Sequence, residues 1–505
     1  MTNISIKNLT FNYDNQLTPL FDNATVEIDS SWKTGLVGRN GNGKTTLMNL
    51  FLGKLSPSKG NIETSLAFNY FPLSLKTPNE LTFYALQSQV QIEEWRLKKE
   101  LASLYQNPDE LLWSPFNQLS GGEQTKVLLA CAFAQKDYFP LLDEPTNHLD
   151  HQTRAQVANY LHDKKSGFIL TSHDRDFLNH VIDHVVAIEQ KKLIVSHGNY
   201  DTYLENKQLK TNFEQAQNQK LKNEISRLQN TATIKSNWAN QIEQHKVHSP
   251  HTKVSSEERN ISTGDIGKSS AKMMKRAKAI EKRITQKIDA KSAALAEVDS
   301  IDEISLNYHP LNANHLLVVE DLRIKYPHMN HALFKSLSFD LHPQERIAFL
   351  GNNGVGKSAL LQTLLNIGGI QTLSGKIYVD SHLKISYLSQ QFNFYQGTLK
   401  QFAHQYNLDY SLLLNHLRKL GMKRHVFNTP IEHMSKGQQK RVALVKSLME
   451  PANLYVWDEP LNYLDIDNQQ QILNAIKKVN PTMLLVEHDQ YFIKQVATNT
   501  FNLKH

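Results

Sequence analysis

Two glycine-rich segments of this chain have the residue types and spacing that bind phosphate groups. Gly38–Thr46 reads GRNGNGKTT and Gly351–Ala359 reads GNNGVGKSA, and both contain the pattern G-x-x-x-x-G-K-[ST]. In such a loop the glycines let backbone N–H groups turn toward phosphate, the lysine reaches the β- and γ-phosphates, and the hydroxyl coordinates Mg²⁺. The predicted binding residues are Gly38, Asn40, Gly41, Gly43, Lys44, Thr45 and Thr46, and then Gly351, Asn353, Gly354, Gly356, Lys357 and Ser358.

Acidic residues and a histidine recur at equal spacing after each of these segments. The apolar runs YFPLLD and LYVWD each end in an aspartate, which is where a buried strand delivers a metal-holding carboxylate to a phosphate site. The glutamate that follows can polarise an attacking water, and the histidine 30 residues after the aspartate is placed to sense the γ-phosphate. We predict that Asp143 with Thr45 and Asp458 with Ser358 bind Mg²⁺. The predicted catalytic residues are Glu144 and His173 in the first copy and Glu459 and His488 in the second.

The same series of motifs occurs twice along the chain. LSGGEQ is echoed by MSKGQQ, LLDEPTNHLD by VWDEPLNYLD, and TSHDRDF by VEHDQYF. Equivalent residues lie 313 positions apart for Lys44 and Lys357, and 315 apart for Ser120 and Ser435. Chance does not hold four motifs at so constant an offset, so the sequence predicts a duplicated domain.

The segment between the two copies has the pattern of long helices. Residues 199–249 and 268–309 contain no glycine or proline, and each stretch predicts one long helix. Leu221, Ile225 and Leu228 begin a 4-3 apolar seam, and Met273 to Ile284 carries a second one. Because Pro250, Gly264 and Gly267 interrupt the two stretches, we predict an antiparallel hairpin with its tip at about 247–264.

The entire net positive charge of the chain lies in this middle segment. The protein has a formal charge of +7, and residues 205–300 contain 18 Lys or Arg against 11 Asp or Glu. A localised basic stripe predicts a polyanionic partner, although a solvated coiled-coil surface has the same composition. Trp238 could stack on a base or sugar, or pack inside the hairpin. The predicted RNA-binding residues are Trp238, Lys272, Lys275, Arg276, Lys278, Lys282 and Arg283.

Composition excludes several classes of protein. Hydrophobic residues make up 40% of the chain and charged residues 21%, as in globular proteins that bury large cores. We expect neither a transmembrane helix nor a signal peptide, because no long uncharged apolar run exists and the N-terminus lacks a basic and apolar leader. The single cysteine, Cys131, cannot form an internal disulfide and is expected to be buried, which favours a cytoplasmic protein.

The order of P-loop, LSGGE, DEPTNHLD and SHDRDF resembles that of the ATP-binding cassette (ABC) ATPases. This resemblance implies an α/β fold with two ABC-type P-loop ATPase domains joined by the helical hairpin, at 1–205, 206–305 and 306–505. It also implies that each nucleotide is capped by the signature of the opposite cassette, that two tyrosines stack on adenine unless they serve strand packing, and that a glutamine contacts Mg²⁺. The residues carried over are Ser120, Gly121, Gly122, Glu123, Ser435, Gly437, Gln438, Tyr13, Tyr326 and Gln390.

The helical linker narrows the resemblance to the ABC-F family and, within it, to the antibiotic-resistance group of the Vga and Lsa type. HGNYDTYLENK, MKRAKAIEKR, LRKLGMKRHVF and the terminal FNLKH carry this similarity. It implies an ATP- and Mg²⁺-dependent ATPase that binds the ribosome, with the hairpin in the exit-site region against large-subunit rRNA and P-site tRNA. The implied role is protection of the peptidyl-transferase centre from lincosamides, pleuromutilins and streptogramin A, with no membrane and no stable protein partner.

Some residues depart from the family pattern. Leu73 stands where the first cassette should have the Mg²⁺-contacting glutamine, and Lys436 replaces a signature glycine, so we expect the two sites to differ in hydrolysis. Only 73 residues separate Thr46 from Ser120, which predicts that the extra arm of some ABC-F factors is short or absent. We also expect no C-terminal extension.

Three other functions fit parts of the sequence. A housekeeping ABC-F translation factor would share every motif and would act on stalled ribosomes. The ATPase pair of a drug exporter would need a surface that docks on a membrane protein and would not need a long basic hairpin able to reach into RNA. A DNA-repair ABC ATPase would insert a longer coiled coil or a zinc module, which one cysteine cannot supply.

Overall fold

The computed structural model describes residues 3–13, 18–147, 149–247, 279, 282–289, 291, 302–329, 331–352, 354–392 and 394–504, with side chains for all of these except 151, 232 and 235–247. The chain forms two compact units. One combines Met1–Tyr203 with Ile301–His505, and the other is Leu204–Ser300. The domain boundaries expected from sequence, at 205/206 and 305/306, remain predictions.

The first cassette, within Met1–Tyr203, has two sheets. A three-stranded antiparallel sheet has the order β2-β1-β4, and a six-stranded sheet has the order β5-β6-β7-β3-β8-β9, in which only β9 runs antiparallel to its neighbour. Its strands are β1 (Asn3–Phe11), β2 (Phe21–Asp29), β3 (Lys33–Val37), β4 (Lys59–Glu63), β5 (Ala67–Phe71), β6 (Tyr138–Asp143), β7 (Phe168–Thr171), β8 (His184–Glu189) and β9 (Lys192–His197). Its helices are α1 (Lys44–Phe51), α2 (Thr82–Gln87), α3 (Glu94–Ala102), α4 (Pro108–Leu112), α5 (Gly121–Ala134), α6 (His151–His162) and α7 (Arg175–Val181), with a 3₁₀ turn at Phe116–Gln118.

The second cassette repeats this plan. Its antiparallel sheet has the order β11-β10-β13, and its five-stranded parallel sheet has the order β14-β15-β16-β12-β17. The strands are β10 (Leu317–Lys325), β11 (Leu337–Leu341), β12 (Arg346–Leu350), β13 (Gln371–Val379), β14 (Ile385–Leu388), β15 (Leu454–Asp458), β16 (Met483–Val486) and β17 (Asn499–Asn502). The linker helix α8 (Tyr200–Val247) precedes it, and its own helices are α9 (Lys357–Leu364), α10 (Leu399–Gln405), α11 (Tyr410–Lys419), α12 (Lys436–Met449), α13 (Ile466–Val479) and α14 (Gln490–Val496), with 3₁₀ turns at Arg424–Asn428 and Ile431–His433.

The apolar runs of the sequence become the central strands of the parallel sheets. All five residues of LYVWD in β15 are buried, as expected for a parallel strand covered on both faces. Because the strands run parallel, their carboxyl ends meet at one edge, which also receives the glycine loops after β3 and β12. The duplicated α/β fold predicted from the sequence is confirmed. The expected burial of Cys131 is confirmed as well.

The middle of the chain begins with a 48-residue helix, α8, as its sequence predicts. Leu221, Ile225 and Leu228 are less exposed than the residues around them, which agrees with an apolar seam. In the second stretch the described segment 282–289 is helical, Ile284 is buried, and Lys291 forms an ion pair with Glu224 of α8. The residues predicted to form the tip, together with Lys272, Lys275, Arg276 and Lys278, lie outside the described residues.

The predicted extension of the second helix to residue 309 is wrong. Residues 302–307 lie in neither a helix nor a strand, and Tyr308 forms a parallel bridge with Ala452. Ile304 and Leu306 alternate with exposed residues and are buried in the core of the second cassette, a period of two that a helix does not give. The absence of glycine and proline permits a helix but does not require one. In the part of the chain that is described, no helix is long and apolar enough to cross a membrane.

Candidate nucleotide-binding sites

The first glycine loop has a backbone conformation that only glycine adopts without strain. Gly43 has a φ of 102°, and a Cβ at this position would lie 2.7 Å from the Leu20 side chain. Lys44 begins α1, and its Nζ donates to the carbonyl of Gly38 at 2.7 Å and to Oδ1 of Asn40 at 3.4 Å. Burial lowers the pKa of Lys44, which nearby carboxylates offset in part. The loop thus holds its lysine over the turn where phosphate would bind.

Asp143, at the end of β6, is surrounded by hydroxyl groups. Its Oδ2 accepts from Thr45 at 3.2 Å and from Tyr70 at 2.7 Å, and its Oδ1 accepts from Thr171 at 2.5 Å. These donors come from α1, β5 and β7, so the edge of the parallel sheet assembles them. An aspartate beside the Thr45 hydroxyl is the donor set that fits Mg²⁺ with a nucleotide phosphate. Tyr70 was not predicted as a site residue, because no motif in the sequence contains it.

Glu144 and His173 form a pair next to this carboxylate. Glu144 has a φ of 51°, and its backbone N–H donates to the Thr171 carbonyl and hydroxyl, both at 3.1 Å. The backbone N–H of His173 donates to Glu144 Oε2 at 3.2 Å, and His173 Nε2 lies 3.4 Å from Oε1. Burial raises the pKa of Glu144 to about 7. Burial, together with Lys44 and Arg441, holds the pKa of His173 well below its usual value.

The second site has the same plan with a different electrostatic balance. Lys357 Nζ donates to the carbonyls of Gly351 at 2.8 Å and Asn352 at 3.0 Å. Asp458 is 1% exposed, and its burial raises its pKa to about 6, although a hydrogen bond from Ser358 opposes this. Among the described residues, its buried Oδ1 has no hydrogen-bond partner, which fits a carboxylate oxygen that coordinates a cation. Asn353 lies outside the described residues.

Glu459 differs from Glu144 in its surroundings. It also has a positive φ, of 50°, and His488 Nε2 lies 3.6 Å from its Oε1. Burial raises the pKa of Glu459, but the interactions with His488, Gln390 and Lys440 outweigh burial and bring it down to about 2. Asn462 also donates to its Oε2. The second glutamate is therefore held ionised, whereas the first is near half protonation at neutral pH.

The two positions of the predicted Mg²⁺-contacting glutamine are structurally equivalent. Phe71 pairs with Leu142 and Leu388 pairs with Trp457, in each case one residue before the aspartate of the neighbouring strand. Leu73 and Gln390 therefore follow β5 and β14 by the same number of residues. Gln390 reaches Glu459, whereas in the first cassette Tyr70 binds Asp143 from the preceding strand.

The predicted adenine-stacking tyrosines lie near their loops with partners of their own. The Tyr13 hydroxyl is 2.8 Å from Oγ1 of Thr46, and its ring packs edge-on against Phe11. Tyr326 stacks on His328 with ring centroids 5.6 Å apart. Stacking on adenine remains a prediction for both.

The two signature segments are N-terminal caps of helices. The hydroxyls of Ser120 and Ser435 accept from the backbone N–H of Glu123 and Gln438, whose side chains bond back to the serine N–H groups. A Cβ at Gly121 would have no atom within 4 Å, so the equivalent Lys436 fits without a clash. Departure from glycine there changes the charge of the segment and not its shape.

Contacts between the cassettes join the first site to the second cassette. The backbone N–H of Asn40 donates to Asp465 Oδ2 at 2.9 Å, and Arg39 Nε pairs with Asp467 at 2.7 Å. Gln469 donates to the carbonyl of His173 at 3.2 Å. Asp465 is the last residue of DEPLNYLD and the N-cap of α13, and Asp467 and Gln469 follow it in that helix; none of the three was predicted as a site residue.

A further contact involves the residues after His173. Arg175 Nε donates to Asp201 in the first turn of α8 at 2.7 Å, and its guanidinium lies 4.1 Å from the ring centroid of Tyr491 in the second cassette. No motif comparison identifies it, because the second cassette has Gln490 at the equivalent position.

Lys282 and Arg283 are exposed next to the buried Ile284, as an outward basic face requires. The side chain of Trp238 lies outside those described. RNA binding by all seven predicted residues therefore remains a prediction.

Comparison with known proteins identifies relatives along nearly the whole chain. Residues 21–147 and 334–462 match the family model described as ABC transporter. The ribosome protection protein VmlR of Bacillus subtilis is 26% identical over 98% of this chain and 86% of its own length. The probable ATP-binding protein YbiT of Escherichia coli O157:H7 is 27% identical over 96% of this chain and 93% of its own. A chain in the crystal structure of archaeal stalk protein aP1 with the recycling factor aABCE1 has the same fold, with a TM-score of 0.63, 18% identity, and coverage of 99% and 87%.

Proposed function

Because the chain belongs to the ABC family and to its ABC-F branch, whose members are ribosome-associated ATPases, we propose that it protects ribosomes from antibiotics at the peptidyl-transferase centre. The two cassettes bind ATP and hydrolyse it to ADP and phosphate. The proposed drugs are lincosamides, pleuromutilins and streptogramin A. The protein would act in the cytoplasm, without a membrane and without a stable protein partner.

The observation that carries this proposal is the location of positive charge. The excess of seven bases in residues 205–300 lies entirely within the compact unit Leu204–Ser300, and the side chains of Lys282 and Arg283 are exposed to solvent. Lys and Arg on a helix surface neutralise RNA phosphates and release counterions, which gives affinity without base reading. We infer that this unit contacts large-subunit rRNA and P-site tRNA in the exit-site region.

In the proposed cycle ATP holds the cassettes together, and the closed protein binds the ribosome. The signature serine and its neighbours would complete each opposite site, while Glu144 and Glu459 orient water for hydrolysis, which releases the protein. Mg²⁺, when bound by Thr45 with Asp143 and by Ser358 with Asp458, would offset charge on the transferred phosphate.

A housekeeping role on stalled ribosomes is the second candidate. The chain is 26% identical to the ribosome protection protein VmlR and 27% identical to the probable ATP-binding protein YbiT, so sequence similarity does not single out the resistance role. Both roles need ribosome binding and ATP hydrolysis, so only drug dependence separates them.

The test uses the double variant Glu144→Gln with Glu459→Gln. Loss of both general bases should slow ATP turnover by about 10²–10⁴-fold and leave ATP binding intact. In ATP the variant should co-sediment with ribosomes on a sucrose gradient, and wild-type protein should restore in-vitro translation in lincomycin. Turnover at the wild-type rate would exclude both glutamates as general bases in ATP hydrolysis. Ribosome binding without any effect of the wild-type protein in lincomycin would favour the housekeeping role.

A further inference from the structure

Two histidines and an aspartate lie close together in the second cassette, and none of them belongs to the nucleotide-site residues described above. His315 lies just before β10, Asp340 lies in β11, and His342 directly follows β11. His315 Nδ1 is 2.6 Å from Asp340 Oδ2, and His342 Nε2 is 3.6 Å from the same oxygen. Among the residues that the structure describes, this is the one group of three His, Cys, Asp or Glu side chains whose ligand atoms all lie within 4.8 Å of one another.

We propose that His315, Asp340 and His342 form a binding site for a zinc-type transition-metal ion. Two imidazoles and a carboxylate are a common ligand set for Zn²⁺, whereas Mg²⁺ and Ca²⁺ prefer oxygen ligands alone. Zn–N and Zn–O bonds of about 2.0–2.2 Å place tetrahedral ligands about 3.4 Å apart. The separations of 2.6, 3.6 and at most 4.8 Å bracket this value.

Small side-chain rotations are enough to reach that geometry. His315 and His342 are 57% and 51% exposed, so their rings can turn without displacing core residues. Their ring centroids are 5.1 Å apart. The solvent-facing side leaves the fourth position to water.

The outer hydrogen bonds already orient the ligands. His342 Nδ1 donates to the carbonyl of Asn314 at 2.7 Å, so Nε2 is the ring nitrogen that faces Asp340. Metal-binding histidines typically use their second nitrogen in this way, and the bond fixes the tautomer. The backbone of His342 is held as well, because its N–H donates to Glu345 Oε2 at 3.0 Å.

Asp340 supplies a second indication. Its Oδ1 is buried and has no hydrogen-bond partner among the described residues. A carboxylate that is only partly paired is costly in the apo protein, and a cation on Oδ2 compensates that charge. The bound ion would join the segment that leads into β10 to the turn after β11, and so would brace the antiparallel sheet.

The test measures Zn²⁺ and Co²⁺ binding to the full-length, tag-free protein after treatment with a chelator. We expect one equivalent of Co²⁺ with the visible spectrum of a tetrahedral complex, displaced by Zn²⁺. His315→Ala and His342→Ala should each weaken binding at least about tenfold, by comparison with the 10–100-fold that even an outer partner contributes. His382→Ala is the matched control, because His382 lies 3.5 Å from Asp380 in a pair without a third ligand.

A second measurement needs no variant. One equivalent of Zn²⁺ should protect the imidazoles of His315 and His342, but not that of His382, from diethylpyrocarbonate, as read by mass spectrometry. ATP hydrolysis should be unchanged in all three variants, which serves as the folding control. Equal metal affinity in wild type and both ligand variants, or unprotected His315 and His342, would overturn the proposal.

Discussion

The two general-base glutamates should give the two ATP sites different pH dependence. Burial raises the pKa of Glu144 to about 7, whereas the interactions with His488, Gln390 and Lys440 overcome burial and lower that of Glu459 to about 2. A general base acts only when it is ionised. Site one should therefore gain activity as the pH rises through 7, and site two should keep an ionised base throughout.

The magnitude follows from the ionised fractions. With a pKa of about 7, Glu144 is about one-tenth ionised at pH 6 and about nine-tenths ionised at pH 8. Glu459 stays fully ionised over this range. Between pH 6 and pH 8 the rate of hydrolysis at the first site should therefore rise about tenfold relative to the rate at the second site, which corresponds to about 1.4 kcal/mol in activation free energy.

The assay compares kcat/KM for ATP in the single variants Glu459→Gln and Glu144→Gln, because kcat/KM reports the pKa values of the free enzyme. Each variant keeps one of the two bases, and their ratio cancels the titration of ATP itself. The ratio of Glu459→Gln to Glu144→Gln should rise about tenfold between pH 6 and pH 8. A ratio that is flat or falls with pH would refute the assignment of different protonation states to the two glutamates.

Three further expectations concern the linker and the second cassette. Replacement of Lys282 and Arg283 by glutamate should weaken ribosome binding in a salt-dependent manner and leave ATP hydrolysis without ribosomes intact. The same replacement at the exposed pair Lys191–Lys192 should leave ribosome binding unchanged. Equal ribosome binding by both variants would mean that the basic face of the linker contacts only solvent. Replacement of 247–263 by a short Gly/Ser turn should abolish lincomycin protection in translation but keep ATP hydrolysis, and full rescue would disconnect protection from the tip. Burial lowers the pKa of Lys440 to about 8, so Lys440→Met should raise the free energy of opening of β15, measured by hydrogen exchange at pH 7, by up to about 3 kcal/mol. Between pH 8 and 10.5 the lysine binds more protons in the unfolded chain than in the folded one, so this gain should shrink over that range. An equal gain from substitution of the exposed residue, Lys436→Met, would contradict this origin.

The sequence predicted the features of the fold that depend on local pattern. A short apolar run that ends in aspartate is typical of a buried parallel strand, and the P-loop pattern beside it placed Asp143 and Asp458 at the phosphate edge of the sheet. The duplication then predicted that the second cassette would repeat the first. The seam of α8 was visible because its spacing is set by the helical period.

Other features depend on packing between distant segments. Tyr70 and Asp143 are 73 positions apart, and Asn40 and Asp465 are 425 apart, so no spacing rule connects either pair. The stretch 302–307 lacks helix breakers, yet it is not helical, because Ile304 and Leu306 are buried in the core of the second cassette. Tertiary burial overrides local propensity at such places.

Arg175 connects the start of α8 with the segment after His173 and with the second cassette. Arg175 is the first residue of α7, two positions after His173, and its guanidinium binds Asp201 and lies over the ring of Tyr491. A partly exposed ion pair of this kind is worth about 0.5–1 kcal/mol, which corresponds to about a two- to five-fold change in an equilibrium constant. If nucleotide binding breaks the Arg175–Asp201 pair, it destabilises the first turn of α8 by a certain factor. Thermodynamic reciprocity then requires that a ligand that stabilises this turn lower the affinity for the nucleotide by the same factor.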